Sequence, residues 1–352
     1  MALSPLDQAR AFLADWVRPR AGGIDQDLDA LRGALAEYAR RGLLGLRIPR
    51  DLGGLELGAM DFRRFQEASA RASGALAFLE SQHQSACGLI ARGPNTALRS
   101  RLLPRLARGE ESSAIAFSHL RKSGDPALRA TPVAGGYRLD GHLPWVTGWG
   151  LFTHCVTAAT LPDQRVLFAW HPLAASASLR PSKPLELAAM AVTQTVAIDV
   201  TALPIPDADV VDLHAATWIQ ENDRIAVALQ SPLALGCAGA AVDVIRDMAA
   251  EKNKAEFRAA ADRLDAELSV VRDEAYGAME ENVDFARSLR ARAAVIELAG
   301  RAAHAAVLAA AGAGNVAGHP AQRVYREALA FSVLALSPPI QAAALERLTS
   351  SG

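Results

Sequence analysis

The chain has 352 residues, of which 51% are hydrophobic and only 5% aromatic, so its core must be built largely from Ala, Leu and Val. This composition favours closely packed helices, and the length favours two or three subdomains over a single core. Lys and Arg (37) nearly balance Asp and Glu (38) without a basic arm or stripe, which excludes nucleic acid as a partner.

The cysteines and the apolar segments indicate a soluble intracellular protein. Cys87, Cys155 and Cys237 are scattered, without a CxxC pair or a histidine at ligand spacing, and are expected to be small buried residues. The first twenty residues include acids and do not resemble a signal peptide. The most apolar window, Ile225 to Ile245, contains a proline and two polar residues, which predicts a buried helix and not a membrane span. We therefore expect a cytoplasmic protein.

The first 112 residues are predicted to form a helical domain. Apolar residues recur at helical spacing over 31–42, 59–91 and 95–109. Between the first two of these runs lies LGLRIPRDLGGLELGAMD, whose proline and glycines predict a loop.

Residues 113–215 are predicted to form a small antiparallel β domain. Short apolar or alternating runs such as SAIAFSHL, GYRLDGHLPWVT and TQTVAIDV are separated by turn residues. Val196, Ile198 and Val200 alternate with more polar residues, as expected for a strand with one buried face. The run Ala134-Gly135-Gly136 is a plausible hairpin turn.

Residues 216–352 are predicted to form a C-terminal helical bundle. The pattern indicates helices within 224–248, 255–281, 289–311 and 320–336, and a last short helix that ends near Leu348. Long Ala- and Gly-rich faces between Arg224 and Ala311 are difficult for one chain to cover, so a homodimer or larger assembly such as a homotetramer is expected. The fold class is therefore α+β and mostly helical.

Four segments carry a more specific signal. They are LLGLRIPRDLGGLELGAMDF, LLPRLARGEESSAIAFSHL, GYRLDGHLPWVTG with its Trp-Val-Thr triplet, and HPAQRVYREALAFSVLALSPPIQ. Together they resemble the acyl-CoA dehydrogenase family over nearly the whole chain. The resemblance implies an N-terminal helical domain, a central β domain and a C-terminal four-helix bundle.

The resemblance also implies a flavin site, with FAD as the cofactor and FMN as the alternative. It places Trp145 and Thr147 beside the flavin ring and the threonine hydroxyl near the ring nitrogen N5, although any β domain could bury such a pair. The other positions that match family contacts to the cofactor are Phe117, Ser118, Ser123, Gly312 and Ser337. Ser337 could equally be only the N-cap of the last helix.

The chain departs from the family at several functional positions. Ala335 and Leu336 stand where most members have Glu-Gly, and that Glu is the base that removes the α-proton of the thioester. Leu308 replaces a cofactor-loop glutamine, and the Arg-x-x-Phe-Gly segment that reaches the FAD of a neighbouring subunit has no counterpart between Met248 and Ala261.

Some members carry the base immediately before an arginine of the first C-terminal helix, a position matched here by Asp223 and Arg224. Asp223 could equally be an acid near a helix N-terminus. Three functions stay open. The first is an enzyme of fatty acid metabolism that oxidises an acyl-CoA or acyl-carrier thioester at Cα–Cβ and passes electrons to an electron-transferring flavoprotein. The second is a monooxygenase supplied by a flavin reductase. The third is a non-catalytic member.

Overall fold

Helices form the region before the sheet. The computed structural model describes residues 4–280 and 284–350. Its first helices are α1 (Pro5–Phe12), α2 (Ala21–Gln26), α3 (Leu28–Arg40), α4 (Ala59–Ala72), α5 (Gly74–Arg92) and α6 (Thr96–Ala107). The helical pattern over 59–91 is divided because Ser73 adopts an extended conformation, and its hydroxyl accepts the Leu76 N–H as the N-cap of α5.

The central region is a single sheet with mixed strand directions. The strands are β1 (Ser113–Ala116), β2 (Leu128–Val133), β3 (Gly136–Val146), β4 (His154–Thr160), β5 (Val166–Pro172), β6 (Leu179–Pro181), β7 (Val196–Pro206) and β8 (Val210–His214). Their order is β6-β7-β3-β2-β4-β5-β8, and β1 also pairs with β4. Most pairs are antiparallel, as predicted, but β1 and β2 both run parallel to β4, so the sheet is mixed. The β2–β3 hairpin serves as the crossover that parallel pairing requires.

The sheet is covered by helices on one side, and this explains its burial pattern. Val196, Ile198 and Val200 are buried and alternate with more accessible neighbours, as predicted. Nearly all of β4 and β5 is buried, because α5 and α6 pack over one face of these strands and an apolar cluster that includes residues of β3 and β7 packs over the other. The predicted turn at residues 134–136 joins β2 to β3, and Gly135 has a φ of 75° there.

The C-terminal region is a bundle in which α8 is the central helix. The helices are α7 (Trp218–Ala226), α8 (Ser231–Glu251), α9 (Ala255–Gly277), α10 (Phe285–Ala310), α11 (Pro320–Val333) and α12 (Pro338–Thr349). Helices α8 to α11 pack on one another as the predicted four-helix bundle. The run 224–248 contains parts of two helices because α7 ends before the short turn 228–230 and α8 starts anew with Pro232 in its first turn. Glu281, the predicted end of the charged helix, lies outside the described residues.

The Ala- and Gly-rich face of α8 is covered within the chain. Every residue from Ser231 to Ile245 is buried, and a Cβ on Gly236 would lie 2.2 Å from the Glu67 carbonyl oxygen of α4. The reason given for an assembly was therefore wrong for this helix, because α4, α10 and α11 supply the missing cover. The three cysteines are buried and free, as predicted.

Two helical stretches, Ala228–Glu251 and Phe285–Asn315, have the length and apolar composition of a membrane span. In the first, 89% of the most apolar window is buried inside the fold, and in the second 56%. Both belong to the bundle, which is consistent with the expectation of a buried helix at Ile225 to Ile245.

Candidate functional site

The end of β3 presents an exposed indole next to a buried hydroxyl. Trp145 is 52% exposed, whereas Thr147, which directly follows the strand, is 7% exposed. The Thr147 Oγ1 lies 3.0 Å from the Oγ1 of Thr195, which is also buried. A flat aromatic face and a hydroxyl two residues apart can contact a planar heterocycle by stacking and by hydrogen bonding.

The end of β1 leads into a short helical turn beside β3. Phe117 directly follows this strand and packs edge-to-face on Phe168 and Trp218, with centroid distances of 5.9 and 5.6 Å. Ser118 follows and is exposed. His119, which replaces an acid of the family, turns away from this surface. Its Nε2 lies 3.0 Å from the Ala158 carbonyl oxygen, and burial lowers the pKa of His119 to about 4.

The candidate base, Asp223, forms an ion pair with Arg121, which lies in the turn 118–121. Arg121 donates from Nε and Nη2 to the two carboxylate oxygens of Asp223, at 2.7 and 2.6 Å. The two side chains are only 21% and 15% exposed, so this bidentate pair is partly shielded from water. Arg224 points elsewhere: it is exposed, and its guanidinium lies 5.7 Å from the Phe285 ring centroid.

The junction of α11 and α12 supplies a further hydroxyl but no carboxylate. Ser337 precedes α12 and is buried, yet among the described residues no cap hydrogen bond from its side chain is recorded. Ser337 is nevertheless the N-cap residue of α12 by position, because the Gln341 N–H donates to its carbonyl oxygen at 2.9 Å. Ala335 has a φ of 52°, a left-handed conformation that is unfavourable for alanine.

A buried arginine holds this junction in place. Arg292 of α10 donates to the carbonyl oxygens of Gln230, Phe331 and Leu334, at 3.1, 2.9 and 3.4 Å. Burial lowers the pKa of Arg292 to about 10. Because the last carbonyls of a helix carry partial negative charge, the guanidinium acts as a C-terminal cap for α11.

Helix α7 lies between the turn 118–121 and the junction of α11 and α12. The turn 118–121 packs against both β3 and α7, and Trp218 at the start of α7 contacts Phe117. At the other end of α7, Val227 packs in one apolar cluster with Ile340 of α12 and with Leu336. The structure therefore places the ends of β1 and β3 on one side of α7, and the segment that contains Ser337 on the other.

Two further predicted cofactor residues, Gly312 and Ser123, lie in exposed segments of the chain. Gly312 belongs to the exposed turn 311–315 before α11, and a Cβ there would meet nothing within 4 Å. The 14 residues of α11 separate this turn from Ser337 by roughly 20 Å. Ser123 is exposed in the loop between the turn 118–121 and β2. Gly312 therefore lies away from Ser337, whereas Ser123 lies two positions after Arg121, which holds Asp223 of α7.

Sequence reasoning missed several residues of this region. Arg121 and Thr195 contact predicted site residues, and Arg292 shapes the α11–α12 junction. Glu80 is a fully buried acid on α5, and burial raises its pKa to about 8. A lone acid in the otherwise apolar and small-residue run GALAFLESQHQSACG was the available signal for Glu80.

Other polar clusters do not offer comparable chemistry. A cleft of about 280 Å³ between residues 18–22, α4 and α8 contains Arg18, Arg71 and Asp243, whose charges pair directly. Within residues 4–280 and 284–350, His, Cys, Asp and Glu side chains form no group of three that could hold a metal ion.

The N-terminal region of the chain is similar in sequence to known proteins. The sequence profile of the acyl-CoA dehydrogenase N-terminal domain matches residues 4–110. The mitochondrial isovaleryl-CoA dehydrogenase of Pongo abelii is 30% identical over 142 residues, which are 39% of this chain and 34% of that protein. The L-prolyl-[peptidyl-carrier protein] dehydrogenase of Pseudomonas fluorescens is 35% identical over 157 residues, 41% of each chain. The chain thus spans well under half the length of the curated relatives it matches.

The fold comparison extends over the whole chain. The structure of glutaryl-coenzyme A dehydrogenase in its glutaryl-CoA complex superposes with a TM-score of 0.83, covering 99% of this chain and 96% of that one at 18% identity. At this identity the likeness establishes the fold alone. The N-terminal region therefore matches the acyl-CoA dehydrogenase family in sequence, and the whole chain has the fold of that family's solved structures.

Proposed function

We propose that the protein is a flavin-dependent oxidoreductase that oxidises an acyl thioester at its Cα–Cβ bond. The observation that carries the proposal is the grouping around α7. This helix packs on the turn 118–121, which carries Ser118 and holds Asp223 through Arg121. The same turn packs on β3, the strand that contains Trp145 and is followed by Thr147. A dehydrogenation of this type needs a planar electron acceptor on one side of the substrate and a carboxylate within reach of its α-proton.

The residues present fit the ring of a flavin. Trp145 offers a half-exposed apolar face, and Ser337 and Thr147 supply hydroxyls without a charged partner. Family members bind FAD, which would supply hydride acceptance, and we propose FAD before FMN. Gly312 lies in the turn before α11, away from Ser337, and we propose that a second copy supplies contacts to the remainder of FAD.

Asp223 is the proposed base, and Arg121 determines how it is presented. A carboxylate has about four lone-pair sites, and the guanidinium occupies one on each oxygen, so each oxygen keeps a site that can accept a proton. Ala335 stands at the family's usual base position and has no group that can accept a proton. Arg224 points toward Phe285, so we do not assign it a role in proton transfer.

The same ion pair also favours a second candidate function. A carboxylate with both oxygens held by Arg121 is less free to move toward a substrate than an unpaired one. A flavin monooxygenase of the same fold requires no α-proton base and would receive reduced flavin from a reductase partner. This candidate predicts that Asp223 can be neutralised without loss of activity.

The substrate carrier, electron acceptor and assembly belong to the proposal. Matches to both a CoA-dependent and a carrier-protein-dependent dehydrogenase support an acyl-CoA or acyl-carrier thioester, with electrons passed to an electron-transferring flavoprotein. Tyr325, Leu329 and Val333 form an exposed apolar stripe on α11, which supports a homodimer or homotetramer. We place the protein in the cytoplasm, because its two most apolar helices lie within the bundle.

The test begins with the visible absorbance of the purified protein and identification of any released flavin. Acyl-CoAs and acyl-carrier thioesters of several chain lengths are then added without oxygen. Bleaching by a thioester supports dehydrogenation, and bleaching only by a reductase with a nicotinamide cofactor supports monooxygenation. A protein that cannot be loaded with either flavin overturns both functions and leaves the non-catalytic alternative.

The role of Asp223 is tested with Asp223→Asn in the flavin-loaded protein. A general base contributes roughly 10²–10⁴-fold, so thioester-driven bleaching should slow by that factor. Glu221→Gln is the matched control, because Glu221 is an exposed acid on the same helix whose partner is Thr217. Equal rates for Asp223→Asn and the parent would show that Asp223 is structural.

A further inference from the structure

The loop before β7 is strained and buried next to Thr147. Met190 and Gln194 have φ values of 56° and 52°, although neither is glycine. Thr193 is fully buried, and its hydroxyl donates to the Met190 carbonyl oxygen at 2.7 Å. Strain of this kind persists only where the surroundings hold the backbone in place, and it concentrates at functional sites.

The strained loop is joined to the end of β3 by three contacts. The Gly148 N–H donates to the Thr193 carbonyl oxygen at 2.9 Å, and the Trp149 N–H donates to that of Gln194 at 3.1 Å. These backbone bonds hold Thr195 opposite Thr147, where the two hydroxyl oxygens are 3.0 Å apart. With exposures of 2% and 7%, the pair is largely shielded from water.

We propose that Thr195 is a positioning residue that orients the hydroxyl of Thr147 toward the flavin. This rests on the proposed function, in which Thr147 faces the ring. Each threonine hydroxyl has one hydrogen to donate. The direction of donation within the pair therefore decides whether the Thr147 hydroxyl offers its hydrogen or an oxygen lone pair to the flavin.

The pair can serve both oxidation states without movement of heavy atoms. The ring nitrogen that receives a hydride is a hydrogen-bond acceptor before reduction and a donor afterwards. With Thr195 donating to Thr147, the Thr147 hydrogen is free for an acceptor. With Thr147 donating to Thr195, its oxygen is free for a donor. Rotation of two hydroxyl hydrogens interconverts these arrangements, and hydrogen bonds in such chains strengthen one another.

The experiment measures the midpoint potential of the flavin-loaded Thr195→Val and Thr195→Ser variants. Without the Thr195 oxygen, the Thr147 hydrogen has no partner when the flavin is reduced, and a buried unsatisfied donor is costly. The ratio of reduced to oxidised flavin at a given potential should fall about tenfold. For a two-electron couple this is about 30 mV toward more negative potential. Thr195→Ser keeps the hydroxyl and should stay close to the parent.

Two controls separate orientation from general loop damage. Thr193→Val removes the neighbouring hydroxyl, which bonds to Met190 and not to Thr147, so it should leave the potential unchanged. In a Thr147→Ala background, Thr195→Val should no longer shift the potential. Thr195→Ala replaces the valine variant if that protein does not fold.

The outcomes are distinct for the two proposals. An unchanged potential in Thr195→Val, or the same shift in the Thr147→Ala background, overturns the inference alone. Failure of the parent to bind flavin overturns the proposed function and the inference together. A shift that depends on Thr147, is absent in Thr193→Val and is restored by serine supports it.

Discussion

Glu80 is a buried acid whose charge the fold does not accommodate. It is fully buried in the middle of α5, and within the described residues neither carboxyl oxygen has a hydrogen-bond partner. Burial raises the pKa of Glu80 from 4.5 to about 8, and the positive charges of Arg63 and Arg47 oppose this rise. At neutral pH the folded protein therefore holds a proton on Glu80 that the unfolded chain releases.

This difference makes stability depend on pH in a defined direction. A carboxyl with a raised pKa in the folded state binds more protons folded than unfolded between pH 4.5 and about 8. Stability is then highest below the unfolded pKa and falls as pH rises through this window. The rise in the pKa of Glu80 corresponds to about 5 kcal/mol of lost stability once both states are ionised, at about 1.4 kcal/mol per pKa unit.

Glu80→Gln removes the ionisation while keeping the shape. Relative to the parent, we expect a small effect on the free energy of unfolding at pH 4.5 and stabilisation of up to about 5 kcal/mol at pH 9. Urea unfolding at pH 4.5, 7 and 9 measures this difference. Glu186→Gln, the same change at an exposed loop position, should show no comparable trend. If the difference between Glu80→Gln and the parent does not grow with pH, the reasoning about Glu80 is refuted.

Three other predictions follow from backbone geometry and exposed surface. Gly236→Ala should destabilise the protein by about 1–3 kcal/mol in thermal unfolding, because its Cβ would lie 2.2 Å from the Glu67 carbonyl oxygen. Gly300→Ala, also in a helix but with open space around it, should instead stabilise by about 0.5–1 kcal/mol; equal effects would contradict the packing argument. Ala335→Gly should stabilise by up to about 1 kcal/mol, since glycine tolerates the left-handed φ of 52°, and a loss of stability would show that this turn is not strained. Leu329→Glu should lower the solution mass from an oligomer to a monomer in light scattering, and a parent that is already monomeric would exclude the α11 stripe as an interface.

The order of helices, sheet and helices followed from periodicity, because long amphipathic patterns and alternating strands are set by local sequence. The helix boundaries and the strand pairing could not be predicted from periodicity. Ser73 divides one apolar pattern into α4 and α5 by leaving helical geometry, which a count of apolar residues does not detect. The parallel pairing of β1 with β4 depends on contacts distant in sequence, so alternation within each strand could not reveal it.

The candidate site was predictable as far as single positions matched a family pattern. Trp145, Thr147 and Ser118 could be named in this way, and α7 packs on the turn 118–121 that contains Ser118. The partners of these residues could not be named. Arg121 is 102 positions from Asp223, and Thr195 is 48 from Thr147, so only the fold identifies the two pairs. The assignments themselves remain predictions.

The absence of a glutamate at position 335 does not by itself remove the chemistry. At the α11–α12 junction, Arg292 donates to the carbonyl oxygens of Phe331 and Leu334, but Ala335 itself offers no group that can accept a proton. Helix α7 offers a carboxylate in a fixed orientation. Both oxygens of Asp223 accept hydrogen bonds from Arg121, which lies in the same turn as Ser118. The ion pair therefore both restrains the carboxylate and keeps it next to the turn 118–121. Which of these effects dominates is decided by the rate of thioester-driven bleaching in Asp223→Asn, since a restraint without catalytic use would leave that rate unchanged.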